Sequence, residues 1–330
     1  MSSTTAAVVE AAPVIEPATD QWLSALAAAG AGGPALYELA PAEARQVLRD
    51  VQTSVPVDME PADVEDRSIP DGPTGDVDLR IVRPQQRGGA LPAIVYTHGG
   101  GWILGDKDTH ERLVREVANA VGAVVVFVDY TPAPEAHYPV QNEQAYTALE
   151  WVAEHAGEIG ADPSRIAIMG DSVGGNMATA VAQMAKQRRG PSLAAQVLFY
   201  PVTDADFETS TYERYADGPW LTRRAMQWFW DAYAPDEERR SEPTASPLRA
   251  DDETLSGLPQ ALIVNGEHDV LAAEGQAYAR RLTQAGVRTT HARYSGTIHD
   301  FALLNPIAQT PAPRAAIAQA GQFLRAALAT

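Results

Sequence analysis

The sequence predicts an α/β fold in which a mostly parallel, eight-stranded sheet is flanked by helices. Three observations support this prediction. Near-continuous apolar runs, typical of strands covered on both faces, alternate with longer helical patterns along most of the chain. Two earlier segments alternate between apolar and polar residues, as half-exposed antiparallel strands do. Loops rich in glycine, histidine and acidic residues follow several apolar runs, at the sheet edge where active sites form.

The first part of the chain shows two helical patterns before any strand. One begins near Asp20 and the other near Pro41, whose fixed φ suits a first helical turn. Residues 1–18 are rich in Ala, Thr, Ser and Pro, and we expect them to be mobile. Residues 64–69 and 77–82 predict strands on either side of a turn rich in Pro and Gly.

Strands and helices then alternate in the order that a doubly wound parallel sheet requires. Strands are expected at residues 93–96, 123–128, 165–169, 197–200, 261–264 and 290–294. Helices are expected at residues 107–121, 140–155, 176–189, 272–285 and 315–329.

Residues 204–247 lie between two core strands but are too long for a simple crossover, and they contain the aromatic run 228–230. Long insertions in compact domains are usually functional lids, so we expect a helical cap. The competing interpretation is that these aromatic side chains belong to the core of a larger domain. The expected division is N-terminal cap helices at 1–55, core at 56–203, cap insertion at 204–247 and core at 248–330.

The composition excludes several classes of function. The 330-residue chain has a net charge of −18, which argues against nucleic acids and anionic membrane surfaces as partners. It has no cysteine, which excludes disulfides and thiolate catalysis and fits a cytoplasmic protein. No apolar run approaches ~18 residues and the N-terminus has no basic region, so we expect neither a membrane span nor a signal peptide. A homodimer stays open.

Ser172 lies at the centre of a G-x-S-x-G pattern, residues 170–174, between a predicted strand and a predicted helix. This is the nucleophile-elbow pattern, in which a sharp turn strains the serine and leaves no room for side chains at the glycine positions. The turn places the hydroxyl at a helix N-terminus, where negative charge is favoured. The alternative is a glycine-rich β-to-α turn with an ordinary serine.

A nucleophilic serine needs a base, and His299 is the best candidate among the seven histidines. It lies in the loop between the last predicted strand and the last predicted helix, at the carboxyl edge of the sheet. His110 and His155 fall in predicted helices and are expected to be solvated. His98 is expected to hydrogen-bond its own loop.

The carboxylate that orients the base is expected to come from Glu267 or Asp269, directly after a predicted strand. Asp300 neighbours His299 in sequence, but adjacent side chains diverge, so we expect it to be a poor orienting group. A metal site built from these acidic residues and His268 lacks any known ligand spacing. We therefore expect no metal and no cofactor.

The run 98–102, His-Gly-Gly-Gly-Trp, follows the strand that ends near Thr97. Consecutive glycines let two backbone N–H groups approach a substrate oxygen, where the N–H of Val173 can join them around a developing negative charge. A phosphate loop is the competing interpretation. Asp106 stands before Lys107 at the position where it would repel phosphate, so we discard that reading.

Four motifs together resemble the hormone-sensitive-lipase family (family IV) of bacterial carboxylesterases. They are HGGGW (98–102), GDSVGG (170–175), GEHDVL (266–271) and GTIHDF (296–301), supported by DYTPAPE at 129–135. They run in order from about residue 92 to the C-terminus. The chain order of serine, acid and histidine is that of α/β-hydrolases.

The resemblance implies an α/β-hydrolase core with a helical cap, and hydrolysis of short- to medium-chain acyl esters through an acyl-enzyme. It implies a triad of Ser172, His299 and Asp269, which favours Asp269 over Glu267. It also implies that the oxyanion donors are the N–H groups of Gly100, Gly101 and Val173. Further candidates for substrate contact are Trp102, Trp220 and Val270.

Three positions depart from the family pattern. Val173 replaces the usual Ala and is expected to narrow the acyl pocket if it faces it. Asp300 replaces the usual Gly and brings a carboxylate close to His299 in sequence. Val270 replaces a common Pro. None of these changes removes a catalytic group.

Two other functions stay open beside hydrolysis of a small-molecule ester. An amidase, in particular an arylformamidase, also carries an H-G-G-x-W loop, and comparing an ester with its matched amide separates the two. A non-catalytic small-molecule receptor is the other, because the plant gibberellin receptor shares the fold and has lost the triad histidine. Here His299 is present, which disfavours a receptor.

Overall fold

A computed structural model describes residues 13–30, 33–85 and 88–329. Most of the expected mobile segment, residues 1–12, lies outside the described residues; the first helix begins at Pro17. The described strands are β1 Ala62–Gly72, β2 Gly75–Pro84, β3 Leu91–Thr97, β4 Val124–Asp129, β5 Ala161–Asp171, β6 Ala195–Phe199, β7 Gln260–His268 and β8 Thr289–Ile298.

The described α-helices fill the connections and both ends of the chain. They are α1 Pro17–Ala29, α2 Pro41–Thr53, α3 Glu111–Val121, α4 Val140–His155, α5 Val173–Arg188, α6 Ser210–Arg214, α7 Arg223–Tyr233, α8 Asp252–Leu255, α9 Ala272–Gln284 and α10 Pro311–Leu328. Short 3₁₀ turns are at Leu36–Glu38, Ala156–Ile159, Glu238–Ser241, Pro247–Arg249 and Asn305–Ile307.

The eight strands form one sheet in the order β1-β2-β4-β3-β5-β6-β7-β8. Strand β2 pairs antiparallel with both β1 and β4, and every other neighbouring pair is parallel. The predicted mostly parallel sheet is therefore confirmed. The antiparallel pair at the edge follows from the apolar–polar alternation of residues 77–82, since one face of β2 is more exposed than that of the central strands.

The core lies in two layers, one on each face of the sheet. Helices α3 and α10 pack on one face, where Tyr96 and Phe127 are buried. Helices α4, α5 and α9 pack on the other face, where Val95 and Ile168 are buried. This two-sided burial explains the near-continuous apolar runs of the central strands.

Two segments lie beside the loops that follow the parallel strands. The insertion, residues 204–247, contains α6 and α7, and the N-terminal segment, residues 13–55, contains α1 and α2. Arg45 of α2 donates to the carbonyl of Ile103 at 2.8 Å and pairs with Glu135 at 2.6 Å. These bonds tie α2 to the loops after β3 and β4. Among the described residues, no helix combines the length and the apolar character that crossing a membrane requires.

Candidate active site

Ser172 stands in a strained turn between β5 and α5. Its backbone has φ 54° and ψ −122°, a region that costs free energy for a residue with a Cβ. A side chain on Gly170 would overlap the carbonyl of Gly174, and one on Gly174 would overlap the carbonyl of Thr97. The two glycines are therefore needed because backbone segments meet there. The turn is fixed by a 2.8 Å hydrogen bond from the Ser172 N–H to the carbonyl of Phe199.

The ring of His299 lies between a hydroxyl and a carboxylate. Its Nε2 is 2.9 Å from the Oγ of Ser172, and its Nδ1 is 2.8 Å from the Oδ2 of Asp269. The other oxygen of Asp269 accepts a 2.9 Å hydrogen bond from the N–H of Leu271. The parallel topology places the ends of β5, β7 and β8 at one edge of the sheet, which brings these three distant residues together.

The two candidate acids have different partners. Asp269 meets the His299 ring, whereas Glu267 accepts a 2.8 Å hydrogen bond from the N–H of Gly296 and lies 3.3 Å from Arg293. Glu267 therefore holds the loop that carries His299. The alternative left open by the residues alone is resolved in favour of Asp269 as the neighbour of the ring.

The glycine loop after β3 runs beside Ser172. Gly101 has φ 64°, and a side chain there would overlap the ring of Phe229 from α7. Among the described residues, none accepts a hydrogen bond from the N–H of Gly100, Gly101 or Val173. The three predicted oxyanion donors are therefore unpaired in the described part of the chain.

A buried polar cluster around Asp171 supports this glycine loop through hydrogen bonds. The Oδ1 of Asp171 accepts hydrogen bonds from the N–H of Gly99 at 3.1 Å and from the Tyr96 hydroxyl at 2.7 Å. Its Oδ2 lies 3.4 Å from the Nε2 of His110. His98 contacts the carbonyl of Gly99 through Nδ1 at 2.8 Å, as expected for a structural histidine.

The expectation that His110 is solvated is wrong. Its side chain is fully buried at the start of α3, and its Nδ1 lies 3.0 Å from the Thr109 hydroxyl. Burial alone would lower the pKa of His110, but the Asp171 carboxylate raises it. Burial alone would raise the pKa of Asp171, and His110 lowers it. The helical pattern could not show that this helix start is covered by the sheet edge.

A cavity of about 220 Å³ opens onto Ser172 and His299. Gly100, Gly101 and Trp220 also line it. Most of its wall is apolar and comes from the N-terminal segment, the insertion and the loops after β3 and β8, with Leu36, Val47, Leu48, Leu104, Leu221, Met226, Phe229 and Leu303.

Two predicted substrate contacts are corrected. Trp102 is fully buried and stacks on Tyr233, with ring centroids 3.9 Å apart, and it does not line the cavity. Val270 is also fully buried in the core, where its carbonyl accepts a hydrogen bond from Thr211. Both follow a functional loop in sequence, but the backbone turns each side chain inward.

Val173 does not face the cavity. Its side chain is fully buried in the core layer that contains α5, although its N–H is at the helix start. The expectation that Val173 narrows the acyl pocket is therefore not met. At the first position of a helix, the N–H and the side chain point in different directions, and a sequence pattern does not say which one meets the substrate.

Asp300 is the site residue that sequence reasoning undervalued. It has φ 61°, the left-handed region, which turns its side chain back toward the ring of His299. One carboxylate oxygen lies 3.3 Å from the His299 Nε2, and the other accepts a 2.9 Å hydrogen bond from the indole N–H of Trp220. Adjacent side chains diverge in extended backbone, and this turn is the exception. The sequence carried one signal for this turn. The resembled family has a glycine at this position, and glycine is the residue that most readily adopts a positive φ.

The two carboxylates change the basicity of the ring. Burial alone would lower the pKa of His299, but Asp269 and Asp300 together raise it to about 9. Burial raises the pKa of Asp300, against the opposing effect of His299. The two carboxylates therefore make the ring a stronger base than an ordinary imidazole.

Comparisons with known proteins identify the family of the chain. Residues 94–303 match a family described by the alpha/beta hydrolase fold. The carboxylesterase NlhH of Mycobacterium tuberculosis is 40% identical over 80% of this chain and 84% of its own length. An ethyl acetate hydrolase of Pseudomonas putida is 37% identical over 75% of this chain and 78% of its own.

Solved structures give the same result. The crystal structure of a thermostable esterase from Pseudomonas putida ECU1011 superposes with a TM-score of 0.93 and 50% sequence identity, covering 97% of this chain and 99% of that one. Relatives also come from a mimivirus and from Gibberella moniliformis, so the matches are not confined to bacteria.

Proposed function

The chain belongs to the α/β-hydrolase family, and from that premise we propose that Ser172, His299 and Asp269 are the catalytic triad of a carboxylesterase for short- to medium-chain acyl esters. The protein hydrolyses carboxylic esters. The proposal concerns the residues that do so and the size of the acyl group. The single observation that carries it is the His299 ring, which lies 2.9 Å from a serine hydroxyl and 2.8 Å from a carboxylate beside a cavity.

In the proposed mechanism the Ser172 oxygen attacks the ester carbonyl while His299 accepts the hydroxyl proton at Nε2. Asp269 keeps the Nδ1 proton facing it, which fixes the tautomer and stabilises the imidazolium. The N–H groups of Gly100, Gly101 and Val173 hold the oxyanion. Donors fixed in a rigid loop would need no reorganisation when charge develops.

The tetrahedral intermediate collapses when His299 returns its proton to the leaving alcohol. Water then attacks the acyl-enzyme while His299 accepts one of its protons. When the second tetrahedral intermediate collapses, His299 returns that proton to the Ser172 oxygen and the carboxylic acid leaves. The strained backbone of Ser172 holds the oxygen in one direction, which reduces the orientational entropy that attack must overcome.

The cavity supports the size of the proposed substrate. Its volume of about 220 Å³ lies below the ~300–1,000 Å³ of typical ligand pockets, and its wall is mostly apolar. The Pseudomonas putida relative is named as an ethyl acetate hydrolase, and ethyl acetate is an ester of this small size. We therefore place the optimum at a short acyl chain.

We propose that the N-terminal segment and the insertion act together as a cap. Both contribute cavity wall, through Leu48 of α2 and Phe229 of α7. A position within the hormone-sensitive-lipase branch, a bacterial origin, a cytoplasmic location and a homodimer remain predictions from the sequence.

The experiment is a series of p-nitrophenyl esters from acetate to laurate with the wild type and Ser172→Ala. Loss of the hydroxyl is expected to lower kcat by about 10⁶ for every ester. Ser164→Ala, at an exposed serine of β5, the strand that precedes Ser172, is the matched control and should leave kcat unchanged. Esterase activity that survives in Ser172→Ala would contradict the proposed nucleophile, and a matched amide hydrolysed faster than its ester would favour an amidase.

A further inference from the structure

The Asp300 carboxylate has fewer partners than a buried carboxylate requires. Its side chain is only 15% exposed, and the indole N–H of Trp220 is its one hydrogen-bond donor among the described residues. An ionised carboxylate can accept about four hydrogen bonds. A buried acceptor without donors costs free energy, so this group is poised to receive another donor.

Besides solvent in the cavity, two groups can supply that donor. One is the protonated Nε2 of His299, 3.3 Å away, in the resting enzyme. This source is absent in the state that is ready to react, because His299 must be neutral to accept the Ser172 proton. The other source is a substrate in the cavity, which Asp300 lines together with Ser172 and His299.

The position of Asp300 specifies which part of the substrate it meets. His299 has to reach the leaving-group oxygen with Nε2, at a hydrogen-bond distance of about 2.6–3.2 Å. The carboxylate of Asp300 lies 3.3 Å from that same nitrogen. The leaving oxygen and Asp300 are therefore neighbours around one atom. Two or three bonds of about 1.5 Å each span the remaining gap.

The surroundings of Asp300 give the contact its selectivity. Much of the cavity wall consists of apolar side chains such as Leu221, Met226 and Leu303, which cannot pair with a polar leaving group. A carboxylate in such a wall favours a hydrogen-bond donor over an alkyl group and repels an anion.

Resting on the proposed function, we propose that Asp300 is a specificity-determining residue that selects esters whose alcohol carries a hydrogen-bond donor two carbons from the ester oxygen. Monoesters of glycols and other polyols have this chemistry, and so do esters of amino alcohols. The acyl chain occupies the apolar part of the cavity, while the donor on the alcohol binds Asp300. Burial raises the pKa of Asp300, and a protonated carboxyl still accepts a hydrogen bond through its carbonyl oxygen.

The test compares 2-hydroxyethyl butyrate with propyl butyrate, which differ by a hydroxyl in place of a methyl group. The ratio of their kcat/KM values is measured for the wild type, Asp300→Asn and Asp300→Gly. Both esters react through the same His299, so its titration cancels in the ratio. Asn and Gly both tolerate φ 61°, and thermal unfolding checks that each variant is folded.

We expect the wild type to prefer the hydroxyethyl ester by about tenfold, as a hydrogen bond to a charged group allows. The ratio should fall to within about twofold in both variants. Asp252→Asn, at an exposed carboxylate of α8 that does not line the cavity, is the matched control and should keep the wild-type ratio. A ratio near one in the wild type, or an equal ratio in all four proteins, would overturn the proposal.

Choline butyrate and its neutral isostere 3,3-dimethylbutyl butyrate separate hydrogen bonding from charge. Choline carries a cation but no N–H, so a preference for choline ester without a preference for the hydroxyethyl ester would overturn the role of the donor. The proposed function is tested separately by p-nitrophenyl butyrate. If its hydrolysis does not depend on Ser172, the triad is wrong; if it does and the ratios are equal, only the role of Asp300 is wrong.

Discussion

The structure has two buried histidine–carboxylate pairs near Ser172, and they differ in which other groups the histidine ring contacts. His299 and Asp269 are 2.8 Å apart, and the free nitrogen of His299 faces the Ser172 hydroxyl at the cavity. His110 and Asp171 are 3.4 Å apart, and neither lines the cavity. Both pairs are buried, and the carboxylate raises the pKa of the histidine in each.

The difference teaches that pair chemistry alone does not make a catalytic base. In the His299–Asp269 pair, here called the upper pair, the carboxylate orients a ring whose second nitrogen is available for proton transfer. In the His110–Asp171 pair, here called the lower pair, Asp171 also accepts hydrogen bonds from the N–H of Gly99 and the hydroxyl of Tyr96. Its carboxylate therefore holds the glycine loop after β3. In the proposed mechanism, the His299–Asp269 pair moves protons, and the His110–Asp171 pair holds the backbone that is proposed to bind the oxyanion.

The largest expected effect tests the upper pair. Asp269→Asn should lower kcat by about 10⁴, because the amide no longer fixes the His299 tautomer. Thermal unfolding should confirm that the variant is folded. Steady-state kinetics with p-nitrophenyl butyrate measures the change.

Glu267→Gln is the matched control, since Glu267 lies near the end of β7, two residues before Asp269, but accepts a hydrogen bond from the N–H of Gly296. It should change kcat by less than about tenfold. A larger loss in Glu267→Gln than in Asp269→Asn would contradict the assignment of the acid.

The second effect tests the His110–Asp171 pair and is a change in the free energy of unfolding. Asp171→Asn leaves His110 buried without its charge partner, which is expected to cost about 3–5 kcal/mol in the free energy of unfolding. Urea denaturation followed by fluorescence measures the loss. The drop in kcat for the folded protein should be much smaller than in Asp269→Asn. An unchanged urea midpoint would show that the pair carries no charge.

The same pair gives stability a definite pH dependence. Because the pKa of Asp171 is lowered in the folded state, its contribution is lost as pH falls through that folded pKa. Because the pKa of His110 is raised, its contribution is lost as pH rises through its folded pKa. Both dependences should be reduced in Asp171→Asn.

The third effect sharpens the contrast between the two rings. His299 must be neutral to act, and its pKa of about 9 places the acid limb of kcat/KM in alkaline solution. Asp300→Gly removes one of the two carboxylates that raise this pKa, so the limb should move to lower pH. A pH profile with propyl butyrate measures the shift. An unmoved limb would mean that Asp300 does not act on the ring.

The smallest effect concerns Val173, the residue that follows Ser172. Val173→Ala should leave the acyl-chain profile unchanged, because the Val173 side chain is buried in the core. The free energy of unfolding should fall by about 1–3 kcal/mol, as expected for removing buried methyl groups. Improved hydrolysis of long acyl chains relative to acetate would show that this side chain reaches the cavity.

Much of the fold followed from the sequence because it depends on local patterns. The double burial of the central strands and the alternation of residues 77–82 each leave a direct trace in the order of apolar residues. Ser172, Asp269 and His299 were also accessible, since each follows a predicted strand and parallel strands end at one edge.

The rest could not be read because it depends on side-chain direction. Trp102 and Val270 were expected to contact substrate, yet each points into the core. His110 was expected in solvent, yet the end of β5 covers it. The turn at Asp300 reverses the usual divergence of adjacent side chains. These outcomes are set by backbone dihedrals and by distant packing, neither of which a short motif encodes.

The most direct test of the central claim is the rate constant for labelling by a fluorophosphonate, followed by intact-mass spectrometry and peptide mapping. We expect one adduct on Ser172 in the wild type, formed orders of magnitude more slowly in Asp269→Asn, with labelling far less impaired in folded Asp171→Asn. An adduct on another residue, or labelling slowed more by Asp171→Asn than by Asp269→Asn, would contradict the claim that the His299–Asp269 pair activates the nucleophile.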